Sequence, residues 1–394
     1  MGLPPRRAAD GESMADTSFP SSWSPAFRLI VALLRGESAG DLAASVDRES
    51  FGQALRRHRV ALALPVAGRT PLSLALRDTL ALRQRQMTMA AMERTAQLGV
   101  VVNDLTGAMI GVCALKGLAF AGLFGDLLGR EASDLDLLVG PADFTRALDR
   151  LGALGYRRDG AGAIDHAVTL RHPDFAASLE LHRRLASPDG LFPVDRFDPW
   201  ARLSAVALPR GPVATLDREA AMVYAAFHGT KHNWHRLFWL VDIAKGMARE
   251  DVDWPAVLTL ARRLGVERQV VMAVLLAERV LGAALPPGLE VKPALVALGG
   301  RLADDLVPHL DDLPSDRGAE LAGRMGFWPT LARLFTLYPR WRARIGLLGF
   351  FLGASDKDHA FLPLPPALAW AYPLVRVLRL LGQPLGWTRT KPTR

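Results

Sequence analysis

Cysteine and lysine are both scarce in this 394-residue chain. There is one cysteine, Cys113, so no disulfide can form within a single chain. This composition fits a reducing compartment, and we expect the protein to be cytoplasmic. Only six of the 48 basic residues are lysines. A lysine inside a motif is therefore more informative here than an arginine.

Long apolar runs are absent too. The nearest candidates for a membrane span, 345–354 and 367–375, are short and contain glycine or proline, whereas a spanning helix needs about 20 mainly apolar residues. The segment from Met1 to Ser22 lacks the apolar stretch of a signal peptide and is predicted to be a disordered leader. We therefore expect no membrane span and no export.

The formal charge of +8 favours an anionic partner, such as a nucleotide, RNA, a membrane surface or an acidic substrate. The basic residues are spread along the chain without the aromatic–basic interleaving of an RNA-binding sheet, so nucleic acid is not a required partner. No Gly-x-x-x-x-Gly-Lys-Ser/Thr loop is present, and the Gly-x-Ser-x-Gly string at 36–40 follows a run with helical apolar spacing, whereas a nucleophile elbow follows a strand. The sequence therefore gives no support to a P-loop kinase or an α/β-hydrolase.

What the chain does contain is a pair of acids two positions apart in an apolar run, Asp134 and Asp136. In a strand, such residues point to the same face, and the leucines between and after them point to the other. Two carboxylates held this close raise each other's pKa unless a cation neutralises them, and oxygen ligands suit Mg²⁺ or Mn²⁺. The spacing predicts a metal-binding pair, with solvated acids on an edge strand as the alternative.

A third acid follows at Glu180, on the polar face of a second alternating run that also carries His182. Three acids on neighbouring strands can hold two divalent ions, which would clamp the attacking and leaving oxygens of a displacement at phosphorus. Lys116 and Gly117 follow an apolar run upstream. A lysine ammonium at this turn is suited to a phosphate oxygen, and a surface lysine is the alternative.

A second polar cluster comprises His228, Lys231 and His232, whose spacing places them on one face of a predicted helix. We expect this face to line a cleft and to contact phosphates or an acceptor, with structural polar residues or a His-x-x-x-His metal site as alternatives. A zinc-protease motif is excluded because position 229 is glycine. The same helix is expected to carry Trp234, His235 and Trp239.

Apolar spacing predicts a helical region over 23–108, a catalytic core of strands alternating with helices over 109–216, and a helical domain over 217–340. The last region, 341–394, is basic and interrupted by proline. The fold class predicted is mixed α/β (α+β), with a small mixed sheet, N-terminal helices and a large C-terminal helical region. The individual expectations are strands over 109–115, 135–139, 167–170 and 177–182, helices over 118–128 and 143–154, and a turn over 68–71.

These motifs occur together in one order. They are Leu115-Lys116-Gly117, Arg130-x-x-Ser133-Asp134-x-Asp136-Leu137-Leu138-Val139, Leu179-Glu180-Leu181-His182, the run from His228 through Trp239 to Asp242-Ile243, and Asp253-Trp254. Over roughly residues 25–380 the chain resembles the uncharacterised nucleotidyltransferase family of the polymerase-beta-like superfamily. One departure is that Lys116-Gly117 stands where that superfamily usually has Gly-Gly or Gly-Ser.

The resemblance implies transfer of a nucleoside monophosphate from an NTP, with ATP favoured, to a hydroxyl or phosphate of an unidentified small-molecule, glycan, peptide or protein acceptor. It implies Asp134, Asp136 and Glu180 as catalytic residues and as ligands of Mg²⁺ or Mn²⁺. Two alternatives remain: kinase-like phosphoryl transfer at the same metal site, and a non-catalytic RNA- or partner-binding protein on this fold. The nucleotide-binding residues implied are Lys116, Gly117, Arg130, Ser133 and His182.

Overall fold

The structure is a computed structural model that describes residues 19–65, 72–159, 167–185, 192, 197–311, 327–353 and 356–382. The predicted turn over 68–71 and most of the predicted leader, 1–18, lie outside these residues. The predicted fold class is confirmed: a mixed sheet is formed by the middle of the chain, and helices precede and follow it in the sequence. The sheet strands are β1 (Val112–Ala114), β2 (Asp134–Val139), β3 (Arg157–Arg158), β4 (Ala167–His172), β5 (Phe175–His182), β6 (Leu203–Leu208) and β7 (Gly211–Leu216).

The seven described strands form one sheet in the order β3-β4-β5-β2-β1-β7-β6. At its centre β2 runs parallel to β5, with Asp136 opposite Glu180 and Leu138 opposite His182. Directly paired residues point to the same face, so the acids of both strands share one side of the sheet. Leu135 and Leu137 are buried on the other side, as the alternating pattern predicts.

The hairpin of β6 and β7 is not among the strands expected from the sequence. In β6 only the later residues alternate between exposed and buried positions, so the strand pattern is short. Gly211, in the left-handed region at φ +119°, allows the tight turn into β7. β7 then pairs in parallel with β1, and the Thr215 hydroxyl donates a hydrogen bond to the Ala114 carbonyl at 2.6 Å. The hairpin thus extends the sheet on the side of β1.

In the described part of the chain, four α-helices precede the sheet. The first starts at a Ser24 cap, whose hydroxyl accepts a hydrogen bond from the Phe27 amide, and ends at Gly36 in the left-handed region. The longest lies across the sheet, because its residues contact β1, β5 and β7. Their bounds are α1 (Pro25–Arg35), α2 (Gly40–Ser45), α3 (Arg48–His58) and α4 (Leu74–Gly107).

Two of the described helices lie within the sheet region, α5 (Gly117–Leu123) and α6 (Phe144–Ala153). The sequence predicts α5 to continue to residue 128, but it ends five residues earlier because Gly125 takes a left-handed φ of +80°. The Asp126 amide then bonds back to the Ala121 carbonyl at 2.9 Å, which closes the helix end.

After β7 the regular elements of the described chain are all helices. The first five pack on one another, and α1 contacts one of them, so the two helical regions form a continuous core. None of the described helices is long and apolar enough to cross a membrane. Their bounds are α7 (Arg218–Lys231), α8 (Leu237–Met247), α9 (Trp254–Leu264), α10 (Glu267–Leu281), α11 (Pro293–Leu306), α12 (Phe327–Leu337), α13 (Trp341–Leu352), α14 (Asp356–Phe361) and α15 (Tyr372–Gly382).

Candidate metal and nucleotide site

Three potential metal ligands converge on the polar face of β2 and β5. Asp136, Glu180 and His182 each offer one ligand atom, and these atoms all lie within 4.8 Å of one another. The His182 Nε2 is 3.0 Å from the Asp136 Oδ1 and 3.4 Å from the Glu180 Oε2. The parallel register makes this possible, because it places residues 136 and 180 side by side. Among the described residues no other such group is present.

Lys116, which lies two residues after β1, is in contact with this group. It is the N-cap residue of α5, and its Nζ lies 2.8 Å from the Asp136 Oδ1. The preceding amide, of Leu115, donates a hydrogen bond to the Asp136 carbonyl at 3.0 Å, so backbone pairing fixes Lys116 beside the acid. Gly117 has a φ of +60°, which glycine adopts without the penalty that a side chain would bring.

The site concentrates opposite charges in a buried place. Burial opposes ionisation of both Lys116 and Asp136, yet their mutual attraction outweighs it. The pKa of Lys116 is therefore raised, and the pKa of Asp136 is held well below its usual range by the ammonium and by His182. Both groups are charged at neutral pH.

His182 and Asp134 respond to the same charges in different ways. Burial works against protonation of His182, but its hydrogen bonds to Asp136 and Glu180 prevail and raise its pKa. Asp134 has no partner of this kind among the described residues: burial and the charge of Asp136 raise its pKa, and Lys116 offsets part of the effect. Asp134 thus lies beside the converging group without belonging to it.

The donor set fits a divalent cation. Two carboxylates provide the oxygen ligands that Mg²⁺ and Mn²⁺ prefer, and the imidazole of His182 adds a nitrogen that a transition metal such as Mn²⁺ accepts. The sequence predicts Asp134, Asp136 and Glu180 as ligands. The geometry brings His182 into contact with Asp136 and Glu180, whereas it leaves Asp134 two residues away on the same face of β2.

Two of the predicted nucleotide-binding residues bond to neighbouring elements. The Arg130 Nε is 2.9 Å from both carboxylate oxygens of Asp242, and its guanidinium lies 4.7 Å above the Phe238 ring. Ser133 accepts a hydrogen bond from Arg59 at 2.8 Å. Arg130 therefore links the loop before β2 to α8. Ser133 links the same loop to Arg59, the C-cap residue of α3.

The three cleft candidates lie at the end of α7. His228 and His232 have ring centroids 4.5 Å apart, and His232 stacks on Trp239 at 5.3 Å. Burial, followed by the charge of Lys116, lowers the pKa of Lys231, while Glu180 acts in the opposite direction. The same two causes lower the pKa of His228. This end of α7 is therefore close enough to the β2–β5 site to interact with its charges.

The expectation that one helix carries the whole cluster is wrong. α7 ends at Lys231, because Asn233 and Trp234 adopt left-handed φ values of +52° and +55°. Trp234 then folds back against Gly229, where an added Cβ would lie 2.5 Å from the ring. The next helix starts at residue 237, so Trp239 meets the histidines across a turn.

Tyr224 and Arg59 are site neighbours that sequence reasoning does not identify. The Tyr224 hydroxyl donates a hydrogen bond to the Leu185 carbonyl at 3.2 Å, and burial raises its pKa to about 12 although Lys116 opposes this. Tyr224 lies one helical turn before His228, which is a signal that the spacing contains. Arg59 offers no comparable signal, because its contact with Ser133 spans 74 residues.

A comparison with known families identifies the family of the chain. The family model described as "Uncharacterised nucleotidyltransferase" matches residues 44–282, which is more than half of the chain. No curated protein matches the sequence. Among solved structures, an antigenic nucleotidyltransferase-like protein from Paracoccidioides brasiliensis is 14% identical, with 49% of this chain and 94% of that chain covered and a TM-score of 0.31. That TM-score is too low to carry an argument.

Proposed function

This chain belongs to the uncharacterised nucleotidyltransferase family, and from that premise we propose that it transfers a nucleoside monophosphate from an NTP, ATP being favoured, to an acceptor. The proposed cofactor is Mg²⁺ or Mn²⁺. The acceptor group is a hydroxyl or phosphate of a small molecule, glycan, peptide or protein.

One observation carries the proposal: Asp136, Glu180 and His182 converge within 4.8 Å, with the Lys116 ammonium 2.8 Å from Asp136. A group of this kind joins ligands for a divalent cation to a cation suited to a phosphate oxygen. Asp134, on the same face of β2, is the proposed further ligand. The resemblance to the family implies the same role for Asp134, Asp136 and Glu180.

In the proposed reaction the acceptor oxygen attacks the α-phosphorus of the NTP, the bond to the bridging oxygen breaks and pyrophosphate leaves. Glu180 takes the proton of the acceptor hydroxyl. A bound divalent ion would offset the negative charge that builds on the attacking and leaving oxygens. Lys116 binds the triphosphate, and His182 keeps the Asp136 and Glu180 carboxylates in position.

Lys231 and His228 complete the proposed substrate cleft opposite the sheet. Among the described residues, no hydrogen bond or ion pair holds the Lys231 ammonium, although it is largely buried and close to the charge of Lys116. Two cations in one buried place repel each other unless an anion separates them. The phosphates of the NTP or of the acceptor would supply that anion. Arg130 and Ser133 are proposed to shape the nucleotide side of the cleft.

The experiment that tests this function uses two labels. The protein is incubated with Mg²⁺, a cell extract as the source of acceptors, and each NTP labelled in parallel at the α- or the γ-phosphate. The proposal expects the α-label on an acceptor with wild-type protein and none with Asp136→Asn. Transfer of the γ-label would show that the protein is a kinase and not a nucleotidyltransferase. Absence of both, together with metal-independent RNA binding, would identify a binding protein.

A further inference from the structure

The last described helices expose an unusual amount of apolar surface. Nine of the nineteen large apolar side chains that are exposed in the described chain lie within residues 341–378. Soluble surfaces normally scatter such side chains singly, and a concentration of them marks an interaction site. They are Trp341, Ile345, Leu348, Phe361, Leu362, Leu368, Trp370, Leu374 and Leu378.

These side chains follow helical faces. On α13 the exposed residues recur at 341, 345 and 348, whereas Ala343 and Leu347 are buried on the other side. On α15 the exposed pair is Leu374 and Leu378, four residues apart, and Val375 is buried. The two helices contact each other. Each therefore has one face packed on the protein and one apolar row directed to solvent.

The same region is strongly basic. Residues 327–382 contain seven lysines and arginines but only two acids. One of the acids, Asp358, is fully buried and pairs with Arg376 and Arg379, and Arg333 and Arg379 are themselves buried. Outside these residues, the described cations that are partly or fully exposed are Arg340, Arg342 and Arg344. Arg342 lies 5.5 Å from the Trp341 ring, which places a cation next to the most N-terminal residue of the apolar row.

We infer that α13 to α15 form a docking surface for an anionic lipid bilayer, on which the helices lie in the interface without crossing it. Apolar rows with tryptophan, flanked by arginines, bind such interfaces by inserting the apolar side chains among the acyl chains and pairing the cations with lipid phosphates. None of the described helices could span the bilayer.

A second copy of this chain fits the surface less well. A two-fold interface places the same patch on both subunits, so it would bring two basic surfaces together. A nucleic acid would pair with the arginines but would leave the rows of leucine and isoleucine exposed. Only a partner that combines negative charge with an apolar interior satisfies both features of the surface. The inference does not depend on the proposed nucleotidyl transfer.

The test is flotation of the full chain with vesicles of phosphatidylcholine alone and with an equimolar mixture of phosphatidylcholine and phosphatidylglycerol. The wild type should float with the mixture and not with phosphatidylcholine alone, and added salt should weaken binding. The double variant Trp370→Ser/Leu374→Ser should reduce the bound fraction roughly tenfold. Both residues are exposed, at 72% and 61%, so the fold should tolerate the change.

The matched control is Leu74→Ser/Met89→Ser, which removes two apolar side chains of α4 that are exposed at 73% and 71%. It should bind as the wild type does. Failure of the wild type to float with either vesicle would overturn the inference, as would equal binding to both lipids or an equal loss in the control. Sedimentation equilibrium that showed a dimer, lost in Trp370→Ser/Leu374→Ser, without vesicle binding would assign the surface to a second copy instead.

Discussion

The Lys116 ammonium lies 2.8 Å from the Asp136 carboxylate, and both groups are largely buried. Because of this contact, the pKa values of the two acids of β2 shift in opposite directions. Asp136 has a cation and an imidazole beside it, whereas the charge of Asp134 is opposed by burial and by Asp136. From the spacing alone, the two aspartates would be expected to behave alike.

The first prediction separates the two acids by their effect on stability. Asp134→Asn should keep or slightly raise the free energy of unfolding, because it removes a repulsion, whereas Asp136→Asn should lower it by about 3–5 kcal/mol, since Lys116 loses its buried partner. Both should reduce turnover by several orders of magnitude. Denaturant unfolding without added metal measures the first quantity. Equal stability of the two variants would contradict the asymmetry.

The second prediction concerns the role of Lys116 in nucleotide binding. Lys116→Met keeps the length of the side chain but removes the charge, and it should weaken binding of a non-hydrolysable NTP by roughly 1.5–3 kcal/mol. Titration calorimetry measures this. Lys292→Met, at an exposed lysine, is the control and should bind normally. An unchanged affinity for Lys116→Met would remove the residue from the triphosphate site.

The third prediction concerns Lys231. Since no acid holds its ammonium among the described residues, Lys231→Ala leaves no buried charge unpaired and should change the melting temperature little. Turnover should fall at least ~10-fold, which corresponds to about 1.4 kcal/mol of transition-state stabilisation. Both quantities are measured on one preparation. A lower melting temperature with full activity of the folded fraction would make Lys231 a packing residue.

The fourth prediction tests the link between the sheet and α8. Arg130→Met and Asp242→Leu should each lower the free energy of unfolding by about 3–5 kcal/mol, because each leaves a buried charge without its partner. The double variant should lose less unfolding free energy than the two single variants together, and a double-mutant cycle measures the difference. The exposed pair Arg249 and Asp251 is the control, where Arg249→Met should cost no more than about 1 kcal/mol. Strict additivity at Arg130 and Asp242 would contradict the link.

The fifth prediction is a loss of stability in mild acid through His58. Burial lowers the pKa of His58 to about 4, and the Asp311 carboxylate, 3.6 Å from Nε2, offsets only part of this. Below about pH 6.5 His58 is therefore protonated in the unfolded chain, whereas in the folded protein it stays neutral until about pH 4. Lowering the pH from about 7 to about 5 should cost about 2 kcal/mol of unfolding free energy from this residue.

Denaturant unfolding of wild type and His58→Met at the two pH values isolates that contribution. The variant should lose about 2 kcal/mol less than the wild type on acidification. His359→Gln, at an exposed histidine, should follow the wild type. If His58→Met and the wild type showed the same pH dependence, the buried neutral histidine would not be the cause.

How far the sequence predicts the site depends on the range of the contacts. Asp134, Asp136, Glu180 and His182 could be predicted because their alternation is local and sets the face on which they lie. The ion pair of Arg130 with Asp242 spans 112 residues, and the contact of Arg59 with Ser133 spans 74, so no local pattern contains either of them. The end of α7 differs from the expectation because Asn233 and Trp234 both take left-handed φ values, which asparagine adopts more readily than most residues but tryptophan seldom does.

The central claim is a divalent-cation site with Asp136 and Glu180 as ligands, held in position by His182, that serves nucleotide binding. Titration calorimetry of Mn²⁺ into the protein with a non-hydrolysable ATP analogue tests it most directly, with Asp136→Asn, Glu180→Gln and the surface control Asp251→Asn in parallel. The account predicts that the wild type and the control bind the ion alike and that the two site variants lose at least ~10-fold in affinity. Equal Mn²⁺ affinity in all four proteins would contradict it.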